Sequence, residues 1–197
     1  PEAQYKQGFG CWGYWVGAPT RSGFGNDYVN IFNLIDELKG RLNIDPNQIY
    51  ITGFSSGGAF AMETGCLAPD VFAGMGITAG PSAGTGAGGS MGPKEGTVAS
   101  TVAACTSYAG GNTDFFKTQI FNGAAGTDAS GSFIGSDGLV NRGYAPQNTD
   151  AMAQIYGVSK LPGTTNIPGG QGAIETAYED GRVSLTALIG VGHQWSA

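Results

Sequence analysis

Two side chains in this sequence, Ser55 and His193, have the types that nucleophilic catalysis through a hydroxyl group requires. A serine hydroxyl is a poor nucleophile until a neighbouring base takes its proton, and the pKa of histidine suits such a base near neutral pH. His193 is the only histidine in the chain, and it follows an apolar run that predicts a strand. We therefore expect Ser55 to act as the nucleophile and His193 as its base.

The surroundings of Ser55 are more informative than the G-x-S-x-G motif in which it stands. The motif occurs at Ser55, Ser82 and Ser90 in a chain with 36 glycines among 197 residues, so the pattern alone carries little weight. Only Ser55 follows a β-branched and aromatic run, residues 49–52, and precedes a helix-forming segment. This context predicts a nucleophile elbow, in which a sharp turn lifts the serine above the sheet. The backbone N–H of Ser56 is the expected oxyanion donor.

The third member of such a site is a carboxylate that orients the histidine and stabilises its charged form. Asp128 and Asp137 both follow a strand predicted at residues 117–123. Proximity to that strand favours Asp128, so the choice stays open at this level. In chain order a serine, an aspartate and a histidine follow one another as they do in α/β-hydrolases, and not as in chymotrypsin or subtilisin.

The elements that must position these residues alternate between strands and helices. Strands are predicted at residues 49–52, 71–78 and 117–123, and a hairpin is predicted at residues 175–178 and 183–189. Helices are predicted at residues 26–42 and 148–156, and a further helix is predicted to begin after Gly57. Residues 79–98 have no periodicity and predict a long loop. This alternation predicts an α/β fold with a mostly parallel sheet flanked by helices, whose chemistry lies at the carboxyl ends of the strands. The length fits a single domain, residues 1–197.

The composition argues against several classes of function. The formal net charge of −6 and the sequence pI near 4.5 argue against a nucleic-acid partner, because no basic cluster is present to neutralise phosphates. The longest uncharged stretches are too polar to span a bilayer, so we expect no membrane association. One histidine and three cysteines without a C-x-x-C motif predict no metal site, and no cofactor is expected. Few charges and many small polar residues are typical of a secreted, extracellular hydrolase.

Four aromatic side chains are candidates for substrate binding: Trp12, Tyr14, Trp15 and Trp195. Such residues suit either core packing or a flat apolar wall beside an active site. The sequence leaves both interpretations open for this set.

The number of cysteines is odd, with one each at Cys11, Cys66 and Cys105. In an oxidising compartment two of them would form a disulfide. The third would then be a buried thiol, or would pair with polypeptide outside this sequence. The spacing does not decide which two residues pair.

Residues 45–59, which carry the serine motif, are the most distinctive part of the sequence, and residues 69–74 add the run Pro-Asp-Val-Phe-Ala-Gly. With Gly192-His193-Gln194-Trp195 they resemble the secreted esterase group that contains polyhydroxybutyrate depolymerases, acetylxylan esterases and feruloyl esterases. The acid loop of that group reads approximately H-G-T-A-D-T-T-[VL]-N-P-x-N, and residues 137–141 with residues 146–148 are similar to its second half. The resemblance therefore implies an α/β-hydrolase with a triad of Ser55, Asp137 and His193.

Two parts of that group's pattern have no counterpart in this sequence. The group takes its first oxyanion donor from an earlier loop, typically L-H-G-C, and it ends in a further helix. The resemblance thus implies a fold that lacks the N-terminal strands and the last helix, with a bare edge beside residues 49–52. A bare apolar edge invites pairing, so we expect a homodimer or a further segment of the protein to complete the sheet, and residues 1–20 folding back over the edge is the third possibility. The resemblance also implies that Cys11 bridges to a cysteine of the earlier loop.

The residues and the resemblance together predict an extracellular serine esterase that cleaves polymeric or aryl carboxylic esters, similar to polyester depolymerases. Its expected partner is a polymeric or small ester substrate. The alternative is a carbohydrate esterase that acts on acetylated or feruloylated xylan. A third hypothesis, from another class, is an inactive hydrolase-like fragment that only binds, because half of the expected oxyanion hole has no counterpart.

Overall fold

The computed structural model describes residues 1–168 and 172–195. The helices are α1 (Asp27–Arg41), α2 (Ser56–Leu67), α3 (Ala87–Ser90), α4 (Val98–Ala109) and α5 (Tyr144–Tyr156). The strands are β1 (Tyr50–Phe54), β2 (Gly74–Thr78), β3 (Ile120–Gly126), β4 (Thr165–Asn166), β5 (Ala173–Ala177) and β6 (Val183–Leu188). Short 3₁₀ segments lie at Gly8–Gly10, Pro46–Gln48, Gly110–Lys117 and Glu179–Gly181. In the described ranges no helix has both the length and the apolar character to cross a bilayer.

The strands form one sheet in the order β1-β2-β3-β6-β5-β4. β1, β2, β3 and β6 pair in parallel, whereas β5 and β4 pair in antiparallel fashion. The predicted mostly parallel α/β sheet with flanking helices is therefore confirmed, and β5 and β6 form the predicted hairpin. The parallel pairing brings the carboxyl ends of β1, β3 and β6 to one edge, where the loops that follow carry Ser55, Asp137 and His193.

A disulfide joins the two helices that pack together on one face of the sheet. Cys66 of α2 and Cys105 of α4 are fully buried and form this bond, while Cys11 is a free, half-buried thiol. The bond closes a sequence separation of 39 residues, which in the chain-entropy view stabilises the fold by about 4 kcal/mol. The sequence did not show which two cysteines pair, and the structure shows that they are Cys66 and Cys105.

Helix α4 is the main element that the sequence did not predict. Its residues are mostly small, so its apolar periodicity is weak. A capping box marks its start, since the Thr97 hydroxyl accepts from the Ser100 N–H and the Ser100 hydroxyl accepts from the Thr97 N–H. The predicted loop at residues 79–98 is wrong in part, because it contains the short helix α3. Strand β3 begins at Ile120 and not at Lys117, because a 3₁₀ segment continues through Lys117.

Strand β1 lies at an edge of the sheet, since no described strand pairs with its outer side. An apolar groove of about 390 Å³ runs along this edge between β1 and α1, and Tyr50 and Ile51 contribute to its wall. Pro1 and Trp12 also line the groove. The N-terminal segment therefore reaches the edge of β1 without adding a strand to it.

Glu63 of α2 is a carboxyl group in the protein interior, with 2% of its surface exposed. Its carboxyl oxygens accept hydrogen bonds from the Tyr28 hydroxyl of α1 and from the Gly84 N–H, which lies 3.2 Å away in the loop after β2. Burial raises the pKa of Glu63 to about 7, and the two hydrogen bonds oppose only part of this rise. Glu63 thus links α1, α2 and the β2 loop, and burial disfavours its charged form.

We expect the free energy of unfolding to fall as the pH rises from 4.5 to about 7, because folding favours the protonated form of Glu63. In that window the unfolded chain releases the proton whereas the folded chain keeps it, a difference of about 3 kcal/mol. Glu63→Gln should remove this part of the slope, and Glu37→Gln, on the exposed side of α1, should keep it. Urea denaturation at a series of pH values measures both. A Glu63→Gln variant with the wild-type slope would contradict the assignment.

Candidate active site

Ser55 lies on a strained turn between β1 and α2. Its backbone has φ 57° and ψ −126°, a conformation that costs a non-glycine residue about 1–3 kcal/mol. The Ser55 N–H donates to the Thr78 carbonyl at 2.9 Å, which anchors the turn to the end of β2. A Cβ atom on Gly53 would lie 2.0 Å from the Gly57 carbonyl oxygen, so only glycine fits there. The sequence predicted this turn from the same glycines.

His193 lies in the loop after β6 and contacts both expected partners. Its Nε2 is 2.9 Å from Ser55 Oγ, and its Nδ1 is 2.8 Å from Asp137 Oδ2. These contacts fit a neutral imidazole whose Nδ1–H donates to the carboxylate and whose Nε2 accepts from the hydroxyl. Both distances lie in the range of a working nucleophile, base and orienting acid.

Asp137 is held in place by its own loop. Its Oδ1 accepts from the Leu139 N–H at 3.0 Å and from the Val140 N–H at 2.8 Å, which leaves Oδ2 for His193. The Asp137 side chain is 1% exposed. The sequence did not identify these two amide donors, although an aspartate directly before a glycine is typical of such a turn.

Asp128, the other candidate for the acid, faces its own loop. Its Oδ1 accepts from the Ser130 hydroxyl and from the N–H groups of Ser130 and Ser132, at 2.6 to 2.9 Å. The Ser130 hydroxyl is the main reason that the pKa of Asp128 lies below its usual value. The structure therefore places Asp137, and not Asp128, against the imidazole.

Ser56, the predicted oxyanion donor, is the first residue of α2. An N–H in the first turn of a helix has no acceptor within the helix, and it lies at the positive end of the helix dipole. The Ser56 hydroxyl accepts from the Trp12 N–H at 3.3 Å, which ties the N-terminal segment to the turn. Ser56, next to Ser55 and at the start of α2, therefore stays the candidate for the oxyanion donor.

A pocket of about 180 Å³ opens beside Ser55 and Ser56. Its walls are mainly apolar, and they comprise Gly8, Phe9, Cys11, Tyr14, Trp15, Pro81, Ala87, Ser90, Met91, Leu139 and Val140. Burial raises the pKa of the Tyr14 hydroxyl to about 12, so that group stays protonated. The sequence missed the walls at Pro81, Met91, Leu139 and Val140, because they come from loops whose paths depend on tertiary contacts.

The four aromatic residues predicted to bind substrate lie in different parts of the structure. Tyr14 and Trp15 line the pocket and meet edge to face, with ring centroids 4.8 Å apart. Trp12 packs on Phe60 at 4.4 Å and lines the groove beside β1. Trp195 is 54% exposed and contacts the Phe54 ring, but it does not line the pocket. Only Tyr14 and Trp15 therefore form the expected wall next to Ser55.

The two other G-x-S-x-G serines have different surroundings. Ser82 is buried, and its hydroxyl accepts from Gln147 Nε2 at 2.9 Å. Ser90 ends α3 and lines the pocket, but its hydroxyl donates to the Ala87 carbonyl, whereas the imidazole of His193 bonds to Ser55. Across residues 1–168 and 172–195, no three His, Cys, Asp or Glu side chains lie close enough together to hold a metal ion.

The chain has recognisable relatives, although no protein-family model matches it. A poly(3-hydroxybutyrate) depolymerase of Ralstonia pickettii is 36% identical over 197 residues, which cover 95% of this chain and 38% of that protein. Poly(3-hydroxyalkanoate) depolymerase C of Paucimonas lemoignei is 24% identical over 174 residues, 84% of this chain and 39% of that protein. The chain thus spans less than two fifths of the length of these curated relatives.

A solved structure gives the same fold. The acetyl xylan esterase from Aspergillus awamori superposes with a TM-score of 0.69 at 18% identity, over 93% of this chain and 68% of that chain. This likeness concerns the fold, and together with the mostly parallel sheet it shows the α/β-hydrolase type. The chain is thus similar in sequence to polyhydroxybutyrate depolymerases and in fold to an acetyl xylan esterase, and both likenesses support the polyhydroxybutyrate depolymerase and esterase group of α/β-hydrolases.

Proposed function

We propose that this chain forms the catalytic part of an extracellular serine esterase that cleaves polymeric or aryl carboxylic esters, as polyester depolymerases do. The observation that carries the proposal is the continuous row of hydrogen bonds from Ser55 through His193 to Asp137. The names of the two depolymerase relatives favour a polyester. The buried disulfide favours an oxidising compartment, in agreement with a place outside the cell.

In the first half of the reaction, His193 Nε2 takes the proton of the Ser55 hydroxyl while Ser55 Oγ attacks the ester carbonyl carbon. The carbonyl electron pair moves onto its oxygen, and the Ser56 N–H stabilises the resulting negative charge. Asp137 stabilises the imidazolium. When the tetrahedral intermediate collapses, the bond to the alcohol breaks, His193 gives its proton to the leaving oxygen, and the acyl group stays on Ser55.

In the second half, water replaces the alcohol. His193 takes one proton from this water as its oxygen attacks the acyl carbon, and the Ser56 N–H again stabilises the oxyanion. Collapse breaks the bond to Ser55 Oγ, which regains its proton from His193. The products of the cycle are an alcohol and a carboxylic acid, one water is consumed for each ester cleaved, and Ser55, His193 and Asp137 return to their starting states.

The pocket beside Ser55 favours a short acyl group. A cavity of about 150 Å³ holds a benzene molecule, which has as many non-hydrogen atoms as a 3-hydroxybutyryl unit. The pocket of about 180 Å³ fits a unit of that size, whereas a feruloyl group has roughly twice as many such atoms. The volume and the apolar walls therefore support a polyester of short hydroxy acids over a feruloyl ester.

A substrate panel tests this proposal. We expect hydrolysis of p-nitrophenyl butyrate, and release of soluble acids from polyhydroxybutyrate film at least about tenfold faster than from polyethylene terephthalate film or from acetylated or feruloylated xylan. A preference for either xylan would support the carbohydrate esterase instead. Failure to hydrolyse any of these esters would support the inactive binding fragment.

We further propose that a second copy, or further polypeptide of the same protein, pairs with the outer edge of β1. The apolar groove along this edge and the 52% exposure of Tyr50 support such a partner. Size-exclusion light scattering of the preparations used for the panel measures the assembly, and intact-mass spectrometry measures the chain. A 20.0 kDa monomer that hydrolyses esters would contradict both forms of pairing.

A further inference from the structure

The ring of Phe54 packs against the imidazole of His193, a contact that the proton transfers do not use. Phe54 is the last residue of β1 and directly precedes Ser55. Its ring centroid lies 4.6 Å from that of His193, and the two planes are tilted by 36°. The Trp195 ring meets the Phe54 ring edge-on, at 5.9 Å between centroids and 80° between planes. The three rings thus form a row from the exposed indole to the imidazole.

The hydrogen bonds of His193 leave one motion of its ring weakly restrained. They join Nε2 to Ser55 Oγ and Nδ1 to Asp137 Oδ2. Two such bonds fix the line through the ring nitrogens, but rocking about that line disturbs either bond only slightly. An aromatic ring packed on the imidazole opposes this rocking. Phe54 therefore supplies a restraint that neither hydrogen-bonding partner provides.

The same contact bears on the charge of His193. Proton transfer from Ser55 turns the imidazole into an imidazolium, and the face of an aromatic ring attracts a cation within about 6 Å of its centroid. An aliphatic side chain of similar size would exclude water as well but would offer no such attraction. Of the two groups that hydrogen-bond to His193, Asp137 is the charged one. Its carboxylate stabilises the imidazolium, and the Phe54 ring adds to this stabilisation.

We propose that Phe54 is a positioning residue of this site, whose ring holds the imidazole in the plane of both hydrogen bonds and stabilises the imidazolium. Trp195 supports the Phe54 ring in turn. The effect on turnover rests on the proposed function. The effect on the protonation of His193 does not, because it requires only the packing of the rings.

Because His193 is the only histidine in the chain, its NMR signals report its protonation without ambiguity. We expect Phe54→Leu to lower the pKa of His193 by about 0.5 to 1.5, since leucine keeps water out but removes the aromatic face. The same change should lower kcat for p-nitrophenyl butyrate by about two- to thirtyfold, with KM little changed. Phe54→Tyr keeps the ring and should restore both values.

Phe32→Leu is the matched control. Phe32 of α1 is also half-buried and packs on an aromatic ring, that of Phe72, at 6.3 Å. It has no contact with the triad in the described pairs, so its replacement should leave the His193 titration unchanged. An unchanged titration and kcat in Phe54→Leu would overturn the proposal, and so would an equal shift in Phe32→Leu.

A second variant keeps the test decisive if Phe54→Leu fails to fold. Trp195→Leu removes the support of the Phe54 ring from an exposed position. It should lower the pKa of His193 in the same direction but by less, and an unchanged pKa would overturn the proposal. A lowered pKa in a chain that hydrolyses none of the panel esters would support the packing of Phe54 and reject the esterase function.

Discussion

Ser55→Ala is expected to lower kcat for p-nitrophenyl butyrate by about 10⁴- to 10⁶-fold, because the atom that attacks the ester is removed. His193 and Asp137 remain in this variant, but the base then has no hydroxyl to activate. Alanine meets the same backbone limits as serine at a positive φ, so the fold should be kept. Steady-state kinetics measures the loss, and circular dichroism checks the fold.

Ser82→Ala is the matched control for this loss. Ser82 stands in the same kind of motif, but its buried hydroxyl accepts from Gln147 and does not contact His193. We expect kcat of the folded variant to stay within about threefold of the wild-type value. A severe loss in Ser82→Ala with a mild one in Ser55→Ala would reverse the assignment of the nucleophile.

Asp137→Asn is expected to lower kcat by about 10⁴-fold while the fold stays intact. The amide of asparagine would donate to Nδ1 of His193, so the imidazole proton would move to Nε2. His193 would then present a proton, and not a lone pair, to the Ser55 hydroxyl. Steady-state kinetics on p-nitrophenyl butyrate measures the effect.

Asp128→Asn serves as the control for the acid. Its carboxylate accepts from Ser130 and Ser132 within its own loop, so its replacement should change kcat only mildly. If Asp128→Asn abolished turnover and Asp137→Asn did not, the acid would be Asp128. The chain order of serine, aspartate and histidine would still hold, but the likeness of residues 137–141 to the acid loop of the esterase group would be wrong.

The sequence predicted best what depends on local structure. The turn at Ser55 follows from a β-branched strand, closely placed glycines and a helix-forming segment, and all of these are neighbours in the chain. The parallel sheet and its terminal hairpin follow from the alternation of strands and helices. The carboxyl ends of parallel strands then bring distant residues such as Ser55 and His193 to one edge.

The sequence predicted least what depends on the paths of loops. Spacing could not separate Asp137 from Asp128, because that choice depends on which carboxylate turns back onto its own loop. The sequence also did not predict the pocket wall formed by residues 79–98, because a distant residue positions it. Tyr144 of α5 accepts from the Glu95 N–H and donates to the Gly89 carbonyl. Helix α4 was not predicted because its residues are small and the periodicity of its apolar residues is weak.

Covalent labelling with a fluorophosphonate, followed by peptide mapping, shows directly which serine is the nucleophile. The probe reacts with a serine that a neighbouring base activates. We predict one labelled site, Ser55, and no label in Ser55→Ala. Label on Ser82 or Ser90, or an absence of label in the wild-type chain, would contradict the claim that Ser55 is the activated nucleophile.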